Sequence, residues 1–207
     1  MLTLAISKGR MFELCLEILQ KGGFTIKPSP IEQSRLLVFS FYQREYKHRL
    51  LVVRNSDILS YINNSLADIA FLGSDIIMEK GLSNFYDYAS VKTRVCRLMT
   101  ARQKNALPIK KRHLRVATKY ENIARNYYAA QGLQADIIKV RGSVELAVVI
   151  GFADQIVDIV DSGKTLEENN LEPVDKIADV STRLIINKNA MKIKWREINH
   201  LIDQLQL

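Results

Sequence analysis

ELAVVIGFADQIVDIVDSGKTL, residues 145–166, reads as helix, strand and tight loop in turn. Leu146, Val149 and Ile150 recur at helical spacing and predict an apolar helix face. Ile156, Val157, Ile159 and Val160 predict a buried strand interrupted by Asp158. That strand runs straight into Asp161-Ser162-Gly163-Lys164-Thr165, and Leu166-Glu167-Glu168 begins another helix. A loop of this composition offers backbone N–H groups, two hydroxyls and a cation to a phosphate. Asp158 and Asp161 stand beside it as carboxylates for sugar hydroxyls or a metal ion. A phosphorylated sugar matches that mixture of groups better than bare phosphate. Taken alone, the loop also fits a simple turn, since Asp-Ser-Gly after a strand is ordinary turn chemistry. It is not a nucleotide P-loop. That motif needs a glycine five residues before its Gly-Lys, and position 158 is Asp.

The order strand, polar turn, helix recurs on both sides of this stretch. Residues 2–6 predict a strand, Lys8-Gly9-Arg10 a turn, and Met11, Leu14, Cys15 and Ile18 a helix stopped by Gly22-Gly23. Residues 35–42 and 49–53 predict a hairpin with a charged tip at 43–48. Arg54-Asn55-Ser56-Asp57 precedes a helix through Ile58, Tyr61 and Ile62, with Ser56 or Asp57 as its cap. Residues 67–72 predict a strand, and Gly73-Ser74-Asp75 opens a helix. Further on, strands are predicted at 94–100, 114–118, 135–140 and 180–187, with helices at 121–131 and 144–150. Ile198, Leu201, Ile202 and Leu205 mark a last amphipathic helix. The pattern predicts a mainly parallel α/β sheet, arranged as two α/β lobes whose strand-end loops face a cleft.

Composition narrows the function classes. The chain has 207 residues, 47% of them hydrophobic, enough for one large domain or two small ones. No run approaches the roughly 18 apolar residues of a membrane helix. Lys8, Arg10 and Glu13 interrupt the N-terminal apolar stretch, which excludes a signal peptide. The only cysteines are Cys15 and Cys96, without metal-ligand spacing, as expected of free thiols in a reducing cytoplasm. His48, His113 and His200 are scattered, which argues against a histidine-based zinc site and leaves no metal ligand set to name. The net charge is +8 and unevenly spread, with eleven Lys or Arg and the single acid Glu121 between positions 91 and 125. That segment can meet a polyanion or simply be a solvated surface. Aromatics do not interleave with it, which weakens a nucleic-acid reading.

With these pieces in order, the chain resembles the ATP phosphoribosyltransferase family. Glu145, Gly151, Ala153, Ile156, Asp158, Ser162, Gly163, Thr165 and Leu166 stand at the spacing of that family's long signature. The resemblance extends to Ala5-Ile6-Ser7-Lys8-Gly9-Arg10, where the family usually has Pro in place of Ser7. It also includes Arg54-x-x-Asp57, the Asp68-to-Asp75 stretch and Ala117-Thr118-Lys119-Tyr120. It implies a two-lobe α/β fold of the periplasmic-binding-protein type II kind, with the C-terminal segment returning to the first lobe. The expected division is lobe I at 1–90 plus 179–207 and lobe II at 91–178.

The resemblance also implies the chemistry. N1 of ATP attacks C1 of phosphoribosyl pyrophosphate, pyrophosphate leaves, and N1-(5-phosphoribosyl)-ATP opens histidine biosynthesis. Adenine N1 already carries a lone pair, so positioning and electrostatics suffice without a Ser-His-Asp or Cys-His set. Asp161, Ser162, Gly163, Lys164 and Thr165 are expected on the 5-phosphate and Asp158 on the ribose hydroxyls. Lys8 and Arg54 are expected to neutralise pyrophosphate, with Arg35 a further candidate of that type. Arg10, Asp68 and Glu145 are expected on ATP. Mg²⁺ is expected to arrive bound to substrate. The chain matches the family's short form, which works with a separate regulatory subunit related to histidyl-tRNA synthetase, as a homodimer within a hetero-oligomer, in the cytoplasm.

Two other readings share some of these features. A non-catalytic two-lobe binding module has the same fold, but fold does not fix function, and such a module has no need of the loop at 158–165. A nucleobase salvage phosphoribosyltransferase has a similar sugar-phosphate loop, but Lys8-Gly9-Arg10 and Gly142-Ser143-Val144-Glu145 do not fit its pattern.

Overall fold

A computed structural model describes residues 1–27, 35–43, 45–81, 83–91, 96–104, 106 and 113–205, with only the main chain of Arg10. Lys92, Arg94 and residues 107–112 of the basic segment lie outside the described residues. The chain divides into two compact units. The first comprises Met1–Ile76, Gly81–Thr93 and Thr182–Leu207, and the second Ile77–Lys80 with Arg94–Ser181.

The first unit is built on seven strands. They are β1 (Thr3–Ser7), β2 (Thr25–Lys27), β3 (Val38–Gln43), β4 (Tyr46–Val53), β5 (Ile69–Gly73), β6 (Phe85–Ser90) and β12 (Thr182–Asn187). Their order across the sheet is β2-β3-β4-β1-β5-β12-β6. Helix α1 (Arg10–Lys21) follows β1, α2 (Ile58–Asn63) follows β4, and α3 (Ser74–Lys80) follows β5. Helices α7 (Lys188–Ile193) and α8 (Trp195–Leu205) end the chain. Cys15, Ile18 and Leu19 of α1 pack with Ile198, Leu201 and Leu205 of α8 and with Leu4, Ile6, Phe39, Phe41 and Phe71 of the sheet in one core. This apolar face is what fixes α1 and α8 as helices.

The second unit carries β7 (Cys96–Gln103), β8 (Leu114–Thr118), β9 (Ala135–Lys139), β10 (Gln155–Val160) and β11 (Leu171–Val180) in the order β11-β7-β10-β8-β9. Helix α4 (Glu121–Ala130) joins β8 to β9, α5 (Glu145–Val149) joins β9 to β10, and α6 (Lys164–Glu168) follows β10. The last turn of α3 belongs to this unit. There the carboxylate of Glu79 accepts the N–H groups of Asn122 and Ile123 at 3.1 Å, supplying the N-terminal cap that α4 lacks in its own sequence.

Both sheets are mixed rather than mainly parallel. β1 runs parallel to β4 and β5, and β8 parallel to β9 and β10, while β3, β7, β11 and β12 pair antiparallel with their neighbours. The sequence pattern registers the parallel centre, where strands alternate with helices, and misses the antiparallel edges. The tip of the β3–β4 hairpin is also shorter than predicted, because Gln43 already pairs with Tyr46. His48 is buried in β4 and stacks on Phe41 with ring centroids 4.9 Å apart, so the polar residues at 46–48 are strand, not loop.

The predicted apolar face at Leu146, Val149 and Ile150 points the other way. These three are 56%, 47% and 67% exposed, and α5 is seated instead by Val144, Ala147 and Val148. With only five residues in the helix, spacing alone fits two faces equally well. Ser56 and Asp57 do not cap α2. The segment Asn55–Asp57 is a 3-10 turn with no side-chain cap, and Ser56 Oγ donates instead to Asp57 Oδ1 at 2.8 Å.

Candidate active site

In the second unit the connection from β8 leads through α4 to β9 on one side, and β10 returns on the other. The carboxyl ends of β8 and β10 therefore flank a topological switch point, where open α/β sheets receive ligands. The featured loop leaves β10 at this edge. Gly163 precedes α6 with φ 84° and ψ −5°, a left-handed conformation that a side chain disfavours. The first α6 bond to the loop runs from Glu167 N–H to Gly163 O at 3.1 Å. The N–H groups of Lys164, Thr165 and Leu166 precede it, as helix-opening donors do. Ser162 and Thr165 are exposed, and Ser162 Oγ accepts weakly from Lys164 N–H at 3.4 Å. Lys164 leans toward Glu168 at 3.7 Å, a solvated i,i+4 pair of little energetic weight.

Asp158 lies within β10, on the edge that β10 shares with β8. Its Oδ1 accepts Ile159 N–H at 2.8 Å and the ammonium of Lys119 at 2.9 Å. Asp161 is half-buried just beyond the strand. On the neighbouring connection, Lys139 at the end of β9 bonds Glu121 at the start of α4, which holds the Glu121 carboxyl below its usual range. Glu145 opens α5 after β9, half-buried in the first helical turn, where a carboxylate meets the positive end of the helix. Asp158, the loop and Glu145 thus share the second unit, Asp158 within β10 and the other two on connections that leave parallel strands.

The first unit repeats the arrangement around β1. Lys8 follows β1, Arg54 follows β4, and Ser74-Asp75 follow Gly73 at the end of β5, so all three stand at the carboxyl edge of one parallel triplet. Lys8 and Arg54 are exposed and make no ion pair among the described residues. Arg35 is exposed and precedes β3, which pairs antiparallel with β4 and so starts at this same edge. Gly9, between Lys8 and the start of α1 at Arg10, has φ 83° and ψ −146°, a conformation only glycine takes easily. The Asp68-to-Asp75 motif has a packing reason at Gly73. A Cβ there would sit 2.0 Å from Asp75 Oδ1, so the buried Asp75 carboxylate needs the bare glycine beneath it.

Asp68 is not with these residues. It precedes β5 at the amino edge of the triplet, buried, with its carboxylate accepting Thr3 N–H at 2.8 Å and the ammonium of Lys194 at 2.8 and 2.9 Å. Its geometry is that of a brace between β1, β5 and the end of α7, and we assign it no ATP contact. Lys119 is the residue that the sequence pattern passes over. It lies in the Ala117-to-Tyr120 motif, yet its pairing with Asp158 appears only once β8 and β10 are known to be neighbours.

A family model described as ATP phosphoribosyltransferase matches residues 54–207. The ATP phosphoribosyltransferase of Pseudomonas fluorescens (strain SBW25) is 45% identical over 206 residues, covering 100% of this chain and 96% of that relative. The chain belongs to the ATP phosphoribosyltransferase family. Its structure is similar to a chain of the ATP phosphoribosyl transferase (HisG:HisZ) complex from Thermotoga maritima, with a TM-score of 0.84 and 32% identity over 100% of this chain and 97% of that one. The periplasmic aliphatic sulphonate binding protein SsuA of Escherichia coli shares the fold alone, with a TM-score of 0.64 and 11% identity over 99% of this chain and 70% of that one. The architecture is the two-lobe α/β fold of type II periplasmic binding proteins. Membership in the ATP phosphoribosyltransferase family sets aside both the non-catalytic module and the salvage enzyme.

Proposed function

We propose that this chain transfers the phosphoribosyl group of phosphoribosyl pyrophosphate to N1 of ATP, releasing pyrophosphate. The observation that carries the reading is the 45% identity to an ATP phosphoribosyltransferase along essentially the whole chain. The proposed roles divide by unit. The N–H groups and hydroxyls of Asp161–Thr165 hold the 5-phosphate, and Asp158 accepts the ribose hydroxyls. Lys8 and Arg54 face the negative charge that grows on departing pyrophosphate. Arg10 and Glu145 contact ATP. Among the described residues no group of three or more His, Cys, Asp or Glu is arranged to hold a metal ion. The donors near the loop are Asp158 and Asp161, a set suited to Mg²⁺ held chiefly by substrate oxygens and water. When bound, Mg²⁺ supplies charge neutralisation at the pyrophosphate. No residue need deprotonate N1, so the chain's task is to align N1 with C1 and to stabilise charge.

The test is to incubate the chain with ATP, phosphoribosyl pyrophosphate and Mg²⁺ and follow the absorbance of N1-alkylated adenine. Loss of that signal with either substrate omitted supports the reading. No product, with or without a regulatory subunit, overturns it. Thr165→Val probes the sugar-phosphate loop. Thr165 is exposed and its hydroxyl has no hydrogen bond among the described residues, so stability should hold. KM for phosphoribosyl pyrophosphate should rise by about tenfold, the effect of losing a hydrogen bond worth about 1–3 kcal/mol. An unchanged KM rules out contact with the phosphate.

We further propose that the chain works in the cytoplasm, as a homodimer within a hetero-oligomer, with a regulatory subunit related to histidyl-tRNA synthetase. The coverage of 97% of the matched Thermotoga maritima chain, from a HisG:HisZ complex, supports the separate regulatory subunit. Among the described residues, no helix is long and apolar enough to cross a membrane. The isolated chain should then be active and insensitive to histidine, and the added subunit should both activate it and confer inhibition, since effects between separate sites need a coupling between them. Strong inhibition of the isolated chain at saturating substrates would place a histidine site on this chain instead.

A further inference from the structure

We propose that Lys119 is a positioning residue for phosphoribosyl pyrophosphate, acting through Asp158. The inference rests on the reading that Asp158 accepts the ribose hydroxyls. Thr118 ends β8 opposite Val157 of β10, so the next pair in register is Lys119 and Asp158. The lysine is delivered to that place by a fixed piece of main chain. The fully buried hydroxyl of Thr118 donates to Val157 O at 2.7 Å and accepts from Tyr120 N–H at 2.9 Å. This ties the turn after β8 to the neighbouring strand. The Lys119 ammonium also lies 5.3 Å from the ring centroid of the buried Tyr120, a second contact that limits where it can swing.

The consequence falls on the carboxylate. Among the described residues two donors reach Asp158, the Ile159 N–H and the Lys119 ammonium, and both bind the same oxygen, Oδ1. Two donors on one oxygen restrain rotation of the group. They leave Oδ2 with no acceptor bond among the described residues, so its lone pairs are available to hydroxyl donors. The Asp158 side chain is 17% exposed and that of Lys119 46%, so the acid is the more enclosed partner. Without Lys119 the carboxylate keeps a single restraint among the described residues, Ile159 N–H, and can rotate Oδ2 out of line. Loss of orientation at such a group weakens ligand binding without removing any contact to the ligand.

Four proteins test this: Lys119→Met, Lys119→Arg, Asp158→Asn and the double variant Lys119→Met with Asp158→Asn. For each, binding of phosphoribosyl pyrophosphate and of ATP is measured by calorimetry, and KM and kcat by product absorbance. Lys119→Met should weaken phosphoribosyl pyrophosphate binding by about five- to fiftyfold, the range of coupled neighbours, with ATP binding changed less than about twofold. Lys119→Arg should restore most of the loss, because a guanidinium can still reach Oδ1. In the double variant the two losses should not add, since the lysine acts only through the acid. Equal weakening of both substrates, or full additivity with Asp158→Asn, would make Lys119 a general cation or a direct ligand contact and overturn the proposal. If Asp158→Asn weakens binding and Lys119→Met does not, the positioning role fails while the assignment of Asp158 stands. If Asp158→Asn itself binds normally, the assignment of Asp158 fails and the inference with it.

Discussion

Replacing Arg54 with alanine is expected to lower kcat by roughly ten- to a thousand-fold, the scale of a lost charge-stabilising donor, with little change in KM for ATP. The proposed role is electrostatic. Pyrophosphate becomes more negative as its bond to C1 breaks, so a nearby cation helps the transition state more than the bound substrate. The structure makes Arg54 a clean site for this test. It is exposed, it has no ion pair among the described residues, and its main chain is extended at φ −72° and ψ 145° ahead of the 3-10 turn. A cation just before a helical segment opposes the helix dipole, so the fold gains nothing from its charge. Thermal unfolding should accordingly match the wild type. Arg54→Lys should recover part of the rate, since charge is kept and the planar fork is lost. If only KM for ATP moves, Arg54 serves ATP binding and not the leaving group.

How far these roles can be read from sequence depends on what each one needs. The loop at 161–165 is legible because its chemistry is local: a glycine that takes positive φ and two hydroxyls are visible one after another. Strands are legible where both faces are buried. β1 is apolar between Thr3 and Ser7 at its ends, β5 is apolar throughout, and β10 is apolar apart from Gln155 and Asp158. The antiparallel edge strands are not legible, although β9, a parallel edge, is. β11 has ten residues with only Leu171 and Val180 buried, and its register shifts around Pro173 and Lys176. An edge strand facing solvent has no reason to alternate, and charges and proline there discourage pairing with other chains. β6 is similar, with Phe85 its single buried residue. Pairings between distant residues are the other blind spot. Nothing near Lys119 in the chain points to Asp158, and nothing near Glu79 announces that it caps α4 more than forty positions away. The same blindness explains Asp68, whose motif is adjacent to the glycine turn at 73 but whose side chain sits at the other end of β5.

Lys194→Met is expected to destabilise the first unit by about 3 kcal/mol while leaving KM for ATP unchanged at temperatures where the variant is folded. Asp68 is the reason. Its side chain is 9% exposed, and the ammonium of Lys194 lies against both oxygens at 2.8 and 2.9 Å. The main chain of Asp68 is engaged as well, donating to Thr3 O at 2.8 Å and accepting Asn187 N–H at 2.9 Å. The carboxylate therefore cannot move to water without disturbing β1, β5 and β12 together. Removing the lysine leaves a buried charge with one remaining donor among the described residues, Thr3 N–H. Breaking a buried pair from one side costs about 3–5 kcal/mol, and because Lys194 is itself 34% exposed, the lower end applies. The midpoint of thermal unfolding should fall by roughly 6–12 °C for a chain of this size. Adding Asp68→Asn to Lys194→Met should recover part of that loss, because the stranded charge is gone, whereas two unrelated sites would only add their damage. A raised KM for ATP in Lys194→Met with an unchanged unfolding midpoint would instead place Asp68 in the nucleotide site and remove it from the frame.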